Sequence, residues 1–288
     1  MRILVTGGCG RLGSSVVRAL SERKHLVRVF DLPFVDFSRV ITLPNVEVFK
    51  GDITQYPQVR GAMDDMDAVL HLAAILPPHS EKRRDRTMAV NVDGTENILR
   101  AIQEVSPEAF IAFSSSVSVY GNTAHERPPI GVDHPLAASD IYSESKVLAE
   151  KRILEADLPY CIMRISGIWG AEVFEFPEVL QFRADQRTEF IDREDVVRAL
   201  ASSLEEARAR DRVFNIAGGE TWQMTGGEFV ERLCEAIGVE VEVDFSEEYG
   251  WFDWYDTTDS QRVLNYQRTS FDRFLDRLRA AFEELFGG

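Results

Sequence analysis

Short apolar runs alternate with longer segments of helical periodicity through the first 165 residues. The apolar runs predict strands at residues 2–6, 26–30, 46–49, 68–72, 110–114 and 160–165. Helices are predicted between them at residues 11–22, 55–63, 84–104 and 140–156. In the third of these helices Val92, Leu99 and Ile102 fall on one face, as packing against a sheet requires. The alternation is typical of βαβ units and predicts a parallel sheet.

This alternation weakens after residue 169, and residues 172–187 have no clean period. A helix at 192–204 and a strand at 213–216 are predicted to return to the sheet, and amphipathic helices are predicted at 226–237 and 271–285. No repeat or flexible linker marks a boundary between the two parts. We therefore expect an α/β protein with a doubly wound parallel sheet and a smaller, interleaved C-terminal domain.

Composition excludes several classes of function. A formal net charge of −16 would repel a phosphate backbone, so we expect no nucleic-acid partner. No run approaches the ~18 apolar residues of a membrane span, and none reads as a signal peptide. The three cysteines are widely spaced and odd in number, which favours a reduced, cytoplasmic setting. No set of His, Cys, Asp and Glu has metal-ligand spacing, so we predict no metal site.

A glycine-rich loop, TGGCGRLG at residues 6–13, follows the first predicted strand and opens the first helix. A tight turn, the approach of a pyrophosphate to the backbone and close helix–sheet packing each require a residue without Cβ. The free N–H groups and the positive dipole end of the helix would then face the phosphates. The loop predicts a Rossmann-type dinucleotide site that includes Gly7, Gly10, Arg11, Leu12 and Gly13.

Acidic residues follow the second and third strands. Asp31 lies at the end of the second strand, where a carboxylate can accept hydrogen bonds from the adenosine ribose. A 2′-phosphate would meet like charge there at a cost of ~1 to ~4 kcal/mol, so NAD is favoured over NADP, although Arg11 could offset part of this repulsion. Asp52 could accept from the adenine amino group, and Ile53 could pack on the ring.

A tyrosine and a lysine lie one helical turn apart in the helix predicted at 140–156. The i, i+4 spacing of Tyr142 and Lys146 puts phenol and ammonium on one face. A free phenol has a pKa of ~10, and a nearby ammonium or an oxidised nicotinamide would lower the pKa of Tyr142. The preceding strand ends in the serine-rich run FSSS at 113–116, so Ser116 should share one crevice with this pair and the glycine loop.

These motifs together resemble the extended short-chain dehydrogenase/reductase family, also called NAD-dependent epimerases/dehydratases. They occur in family order over roughly residues 1–220. The matching segments are the glycine loop, GDI at 51–53, HLAA at 71–74, NVDGT at 91–95, the serine-rich strand, the Tyr142/Lys146 pair, residues 164–170, EDV at 194–196 and FNI at 214–216.

The resemblance implies a role for each residue of the site. Ser116 orients the substrate, Tyr142 is the acid/base, and Lys146 holds the nicotinamide ribose while tuning Tyr142. The backbone near Ile168 would lie against the carboxamide. The residues expected to contact NAD are Gly7, Gly10, Arg11, Leu12, Gly13, Asp31, Asp52, Ile53, Leu72, Ala73, Ala74, Asn91, Ser114, Tyr142, Lys146 and Ile168.

The resemblance also implies how the chain is organised. Residues 1–169 would form the NAD-binding Rossmann domain, which residues 190–217 rejoin. Residues 170–189 and 218–288 would form the substrate-binding domain. A homodimer built on two helices is expected from the resemblance.

Two enzymatic reactions and one non-enzymatic role fit these motifs. Val117 and Ser118 stand where dehydratases of the family commonly carry acids, which favours a nucleotide-sugar epimerase. The segment between 170 and 192 is shorter than in typical epimerases, however, and the part that usually grips the nucleotide diphosphate is hard to find. Arg183, Arg187 and Arg193 could serve in its place. The alternative is a dehydrogenase that acts on a sugar, a sugar acid or a small alcohol and releases NADH. A cofactor-binding regulatory protein is the third hypothesis.

We expect the substrate to contact residues from the loop after the fourth strand, from the serine-rich strand and the helix that follows it, and from the segment beyond Gly170. These residues are His79, Ser116, Val117, Ser118, Tyr142 and Arg183.

Overall fold

The computed structural model describes residues 1–174, 177–239 and 243–286. The strands are β1 (Arg2–Thr6), β2 (Leu26–Asp31), β3 (Val46–Lys50), β4 (Ala68–His71), β5 (Phe110–Ser116), β6 (Tyr160–Ile165), β7 (Gly167–Trp169), β8 (Val179–Leu180), β9 (Arg187–Asp192), β10 (Arg212–Ile216), β11 (Gln223–Thr225) and β12 (Asp244–Phe245). The helices are α1 (Arg11–Glu22), α2 (Ser38–Ile41), α3 (Tyr56–Met63), α4 (Arg84–Met88), α5 (Gly94–Val105), α6 (Ile141–Glu155), α7 (Arg193–Glu205), α8 (Gly226–Ile237), α9 (Thr258–Leu264) and α10 (Phe271–Phe286).

Seven parallel strands form the main sheet, in the order β3-β2-β1-β4-β5-β6-β10. The strand order reverses at β1, whose end at Thr6 pairs with Phe30 of β2 on one side and His71 of β4 on the other. Ligands bind outside the carboxyl ends of strands at such a switch point. The predicted α/β, Rossmann-type sheet is confirmed, and strand β10 joins its edge beside β6.

Apolar side chains cover both faces of this sheet. One core cluster includes Val16, Val17 and Leu20 of α1, and the other includes Ile98 and Ile102 of α5. The predicted helix at 84–104 is observed as α4, a π-helical stretch at Ala89–Asp93, and α5. None of the helices in the described ranges is both long and apolar enough to cross a bilayer.

A small three-stranded sheet, in the order β11-β9-β7, was not predicted. Strand β9 begins at the last residue of the segment that showed no clean period, and Thr188 and Glu189 are buried in it beside Phe190 and Ile191. A strand that is buried on both faces and carries polar residues lacks the alternation by which strands are detected.

An aromatic cluster packs the C-terminal part of the chain. Trp222 is fully buried, and its indole N–H donates to the carbonyl of Thr269 at 2.9 Å. Its ring lies close to those of Phe271 and Phe274. Phe190 of β9 also belongs to this cluster, so the small sheet and helices α8 and α10 share one core.

A buried ion pair attaches α6 to the main sheet. Glu150 and Arg164 are only 1% and 5% exposed, and the guanidinium donates to the carboxylate from both Nε and Nη2, the latter at 2.8 Å. The Ser115 hydroxyl also donates to Glu150, and Arg164 Nη1 donates to the Tyr120 hydroxyl. Because Glu150 follows Lys146 by four residues, this pair fixes which face of α6 is turned toward β5 and β6.

We predict that Glu150→Ala destabilises the protein by about 3 to 5 kcal/mol, because it leaves the Arg164 guanidinium buried without its counter-charge. Equilibrium unfolding in urea measures this change. Lys151→Ala is the matched control, since Lys151 is exposed on the same helix and should change stability by less than about 0.5 kcal/mol. Equal effects of the two substitutions would show that the buried pair does not anchor the helix.

Candidate active site

A cleft of about 1250 Å³ runs along the carboxyl ends of the strands of the main sheet. Every residue that the sequence predicted to contact a dinucleotide lines this cleft, except Asn91. Ser116, Tyr142 and Lys146 lie in the same cleft. The structure therefore brings the glycine loop and the Ser-Tyr-Lys constellation into one continuous site.

The glycine loop approaches the β4 strand end too closely for side chains. Gly7 has a φ of +69°, and a Cβ there would lie 2.9 Å from the backbone nitrogen of Ala73. A Cβ on Gly13 would lie 2.2 Å from the carbonyl oxygen of Gly7. Helix α1 begins at Arg11 with no side-chain cap, so the first N–H groups of the helix remain available to a phosphate.

Two carboxylates stand at the far end of the cleft. Asp31 accepts a hydrogen bond from the Cys9 backbone at 2.9 Å, which ties the end of β2 to the glycine loop. Asp52 accepts from the backbone and hydroxyl of Thr54, and Ile53 is buried beside it. Arg11 is 82% exposed and contacts Glu172 at 3.4 Å. Both acids lie on strand ends that border the cleft, as the sequence predicted.

A buried histidine network holds the ends of β1 and β4 together. Thr95 donates to the carbonyl of Asn91, so its hydroxyl accepts from His71 Nε2 at 3.0 Å. The Thr6 hydroxyl accepts from two backbone N–H groups, those of Leu72 and Ala73, and donates to His71 Nδ1 at 2.7 Å. Burial and the nearby Lys146 lower the pKa of His71 to about 3, so the ring is neutral. His71 thus positions the cofactor loops without titrating near neutral pH.

The amino terminus of α6 is capped twice. The side chain of Asp140 accepts from the backbone of Ser143, and the Ser143 hydroxyl reaches back to Asp140. The carboxylate of Glu81 accepts from the backbone N–H groups of Ile141 and Tyr142, at 3.0 and 3.1 Å. These two carboxylates stabilise the positive end of the helix and fix the first turn, in which Tyr142 lies.

Tyr142 and Lys146 face the end of β5 from one side of α6. The Lys146 ammonium donates to the Ser114 carbonyl at 2.6 Å and lies 5.7 Å from the centre of the Tyr142 ring. Burial lowers the pKa of Lys146 to about 8, with Glu150 opposing the shift. Burial raises the pKa of Tyr142, and a hydrogen bond from Ser116 opposes that change. In the protein alone Tyr142 is therefore a neutral phenol, because desolvation outweighs the expected influence of the ammonium.

Asn91 does not line the cleft, so its assignment as a cofactor contact stays a prediction that the cleft wall does not support. Its side-chain oxygen accepts from the Ile75 backbone at 2.7 Å, and its amide donates to the Ile75 carbonyl and the Ser145 hydroxyl. Asn91 is thus fully occupied in joining the loop after β4 to helix α6.

Four predicted substrate contacts also lie outside the cleft wall. Val117 and Ser118 are fully buried in a 3₁₀ turn that packs beneath the site, and His79 is exposed at the start of another. Arg183 lies between β8 and β9, where it pairs with Asp185. The chain after β5 turns into the protein core, and the loop after β4 leaves His79 exposed, so the cleft wall lends these four contacts no support and they stay predictions.

All three arginines considered for a diphosphate are held by carboxylates. Arg187 pairs with the buried Asp253, at 2.6 Å, and Arg193 pairs with Glu172 through two nitrogens, at 2.7 and 3.0 Å. Arg183 pairs with Asp185 at 2.8 Å. Of the three, Arg193 alone lines the cleft.

Several residues that line the cleft were not assigned to the site from the sequence, among them Ser166 and Trp251. Ser166 follows β6 directly, and no motif points to its hydroxyl. Trp251 belongs to the aromatic stretch at 251–256, where composition does not distinguish a ring that packs in the core from one that faces a ligand. Among the described residues, no group of three side chains is arranged to hold a metal ion.

Solved structures of similar fold cover nearly the whole chain. A short-chain dehydrogenase/reductase superfamily protein from Agrobacterium tumefaciens, solved with bound NAD, aligns over 100% of this chain and 98% of its own with a TM-score of 0.80 at 24% identity. UDP-glucose 4-epimerase from Thermotoga maritima aligns over 99% of each chain with a TM-score of 0.83 at 21% identity. At these identities the likeness establishes the fold.

Relatives of higher identity match the first part of the chain. The 3 beta-hydroxysteroid dehydrogenase/Delta 5-->4-isomerase of Mycobacterium tuberculosis is 36% identical over 178 residues, which are 59% of this chain and 47% of that protein. The UDP-glucose 4-epimerase of Lactobacillus helveticus is 32% identical over 178 residues, 59% of this chain and 53% of its own. The match thus spans about half the length of these relatives.

Residues 4–186 match the model of the 3-beta hydroxysteroid dehydrogenase/isomerase family. This match covers more than half of the chain and includes the glycine loop, the strand that ends at Ser116 and the Tyr142/Lys146 pair. The protein therefore belongs to the 3-beta hydroxysteroid dehydrogenase/isomerase family, within the extended short-chain dehydrogenases/reductases that its motifs resemble.

Proposed function

We propose that this protein is an NAD-dependent dehydrogenase that oxidises a secondary alcohol with net release of NADH. The cleft fits a dinucleotide because its glycine loop packs against the end of β4 without room for Cβ atoms, and because helix α1 begins uncapped at the cleft, where its N–H groups could bind a pyrophosphate. Asp31 would accept from the adenosine ribose, and Asp52 and Ile53 would border the adenine. NAD bound there would supply the hydride acceptor.

The chain's own residues would handle the proton. Tyr142 is the acid/base, since its phenol lies in the cleft within reach of the Ser116 hydroxyl. Ser116 would hydrogen-bond the reacting substrate oxygen, and Lys146 would hold the nicotinamide ribose from its position beside the Ser114 carbonyl. Because burial raises the pKa of the free phenol, proton removal by Tyr142 requires positive charge next to its ring.

Net dehydrogenation is favoured over nucleotide-sugar epimerisation because the three arginines considered for a diphosphate are already bound to carboxylates. An epimerase must hold a nucleotide diphosphate, whose charge is matched best by free guanidinium groups. Arg183, Arg187 and Arg193 are each paired with a carboxylate, and the partner of Arg187 is a fully buried aspartate. Breaking such a pair to bind phosphate would leave a buried charge uncompensated.

Nucleotide-sugar epimerisation is the second candidate function, and it is supported by an arginine in the cleft that is not bound to a carboxylate. Arg86 lines the cleft and forms no ion pair within the described part of the chain, so one cation is available for an anionic group. The relative from Lactobacillus helveticus is a UDP-glucose 4-epimerase.

A panel of alcohols tests the proposal. Purified protein is incubated with NAD and, separately, with glucose, glucuronate, cholesterol and UDP-glucose, while NADH absorbance and product composition are followed. Net dehydrogenation predicts NADH in proportion to an alcohol consumed and no accumulation with UDP-glucose. Conversion of UDP-glucose to its 4-epimer without NADH accumulation would contradict the dehydrogenase and establish the second candidate.

Tyr142→Phe should lower kcat by a factor of about 10² to 10⁴, because it removes the group that transfers the proton. Binding of NAD, measured by calorimetry, should change little, since the ring is retained. Tyr160→Phe is the control, because Tyr160 lies outside the cleft. Full activity in the Tyr142 variant would assign the proton transfer elsewhere and favour a regulatory role for the site.

Asp31→Asn should weaken the preference for NAD over NADP by roughly tenfold to a hundredfold, because it removes the charge that would repel a 2′-phosphate. The ratio of kcat/KM for the two cofactors measures the effect. Asp36→Asn serves as a control, since Asp36 is an exposed acid in the loop after β2 that does not line the cleft. An unchanged ratio in the Asp31 variant would mean that this carboxylate does not face the adenosine ribose.

A further inference from the structure

Two arginines bring positive charge to the same part of the cleft. Arg11 is the first residue of α1 and Arg193 is the first residue of α7, and both line the cleft. The two helices pack against each other. The positive dipole end of each helix adds to the charge of its guanidinium. Positive potential is therefore concentrated where the N–H groups of α1 could bind a pyrophosphate.

The carboxylate of Glu172 contacts both of these arginines. It accepts hydrogen bonds from the two terminal nitrogens of Arg193, at 2.7 and 3.0 Å, and Arg11 Nη1 reaches it at 3.4 Å. The hydrogen bond from Arg193, together with the charges of Arg11 and Arg39, holds the pKa of Glu172 below its usual range. Glu172 is therefore an anion at neutral pH and acts as an internal counter-charge for the two cleft arginines.

Glu172 binds the two arginines with unequal firmness. The Arg193 side chain is 22% exposed and lies against the backbone of Gly170, where an added Cβ would be 2.1 Å from Arg193 Nη2. The Arg11 side chain is 82% exposed, and its contact with Glu172 is long. Exposed pairs of this kind are weak. Arg11 can therefore turn from Glu172 to another anion at small cost, whereas Arg193 stays in place.

The Glu172 carboxylate is fixed beside the cleft. The neighbouring Ala171 and Phe174 pack against the aromatic cluster of the C-terminal part, and the Phe174 ring lies 5.0 Å from that of Trp169. Glu172 itself does not line the cleft. Its negative charge therefore remains close to any anion that binds next to the two arginines, and it repels that anion.

We propose that Glu172 competes with the pyrophosphate of NAD for Arg11 and Arg193 and thereby keeps the cofactor exchangeable. When a dinucleotide binds, Arg11 would turn to the pyrophosphate, while Glu172 stays bound to Arg193 and repels the phosphates. This inference rests on the proposed dehydrogenase function and names how that enzyme releases its cofactor.

Exchange of the cofactor separates the two candidate reactions. A dehydrogenase must release NADH in every turnover, whereas an epimerase returns the hydride to its substrate and can retain its NAD. Guanidinium groups bind phosphate strongly when they are free to form charge-assisted hydrogen bonds. An acid that already occupies two of them weakens the hold on the pyrophosphate, which suits net dehydrogenation.

The test measures NADH binding to the full chain by fluorescence, with no alcohol present. Glu172→Gln should lower the dissociation constant of NADH by about three- to tenfold and slow its release by a similar factor, because it removes the repelling charge and keeps the size of the side chain. Glu178→Gln is the matched control and should change both quantities by less than about twofold. Glu178 is an exposed acid between β7 and β9 that forms no ion pair with Arg11 or Arg193 in the described structure.

ADP and adenosine isolate the contribution of the phosphates. Both contain the adenine and ribose expected beside Asp31 and Asp52, but only ADP carries a diphosphate. Displacement of NADH measures the binding of each. Glu172→Gln should strengthen ADP binding by about three- to tenfold and change adenosine binding by less than about twofold. An equal gain for adenosine would show that the substitution alters the whole cleft, and it would overturn competition for the phosphates.

The remaining outcomes are distinguishable. Unchanged NADH binding in the Glu172 variant would overturn the inference, and so would weaker binding with faster release, because Glu172 would then fasten the cofactor. Both results leave the dehydrogenase intact, since NADH formation from an alcohol is measured separately. No binding of NADH to the wild-type protein would instead refute the proposed function itself.

Discussion

Helix α6 must present one face, and only that face, to the end of strand β5. Tyr142, Lys146 and Glu150 form a row at four-residue spacing, so the orientation of any one sets the other two. The carboxylate of Glu150 is bound by the Arg164 guanidinium beneath the sheet edge, and the Asp140 and Glu81 carboxylates cap the opposite end of the helix. Rotation of α6 would separate the buried charges of Glu150 and Arg164. This ion pair takes no part in the chemistry, but it keeps the phenol of Tyr142 and the ammonium of Lys146 turned toward Ser116.

Burial shifts the pKa values of the two titratable groups of the site in opposite directions. It raises the pKa of the Tyr142 phenol, which is neutral in the protein alone, and it lowers the pKa of Lys146 to about 8, so that Lys146 is still mostly an ammonium at neutral pH. His71 is kept neutral nearby and serves only to position the loops. Positive charge brought against Tyr142 would therefore change its acidity more than the same charge in water, since the site is poorly screened. In this account the acid/base group becomes competent only when the cofactor is in place.

The sheet, the glycine loop and the Tyr142/Lys146 pair were predictable because each is local: a short stretch of sequence fixes its geometry. Strand β9 was missed because burial of Thr188 and Glu189 removes the alternation that marks a strand. Asn91 and Arg183 lie outside the cleft wall because their side chains bond Ile75 and Asp185, and motif spacing does not contain that information. The position of Trp251 depends on Gln186, which lies 65 positions earlier in the chain and bonds the neighbouring residues Gly250 and Phe252. No single-sequence pattern reveals these bonds.

The most direct test of this account is a crystal structure of the protein with NAD⁺. We predict that the nicotinamide ring lies beside Tyr142 and Ser116, that Lys146 contacts its ribose, and that the hydroxyls of the adenosine ribose bond Asp31. A dinucleotide bound elsewhere, or a nicotinamide turned away from the Tyr142 phenol, would contradict the assignment of this cleft as the site of oxidation.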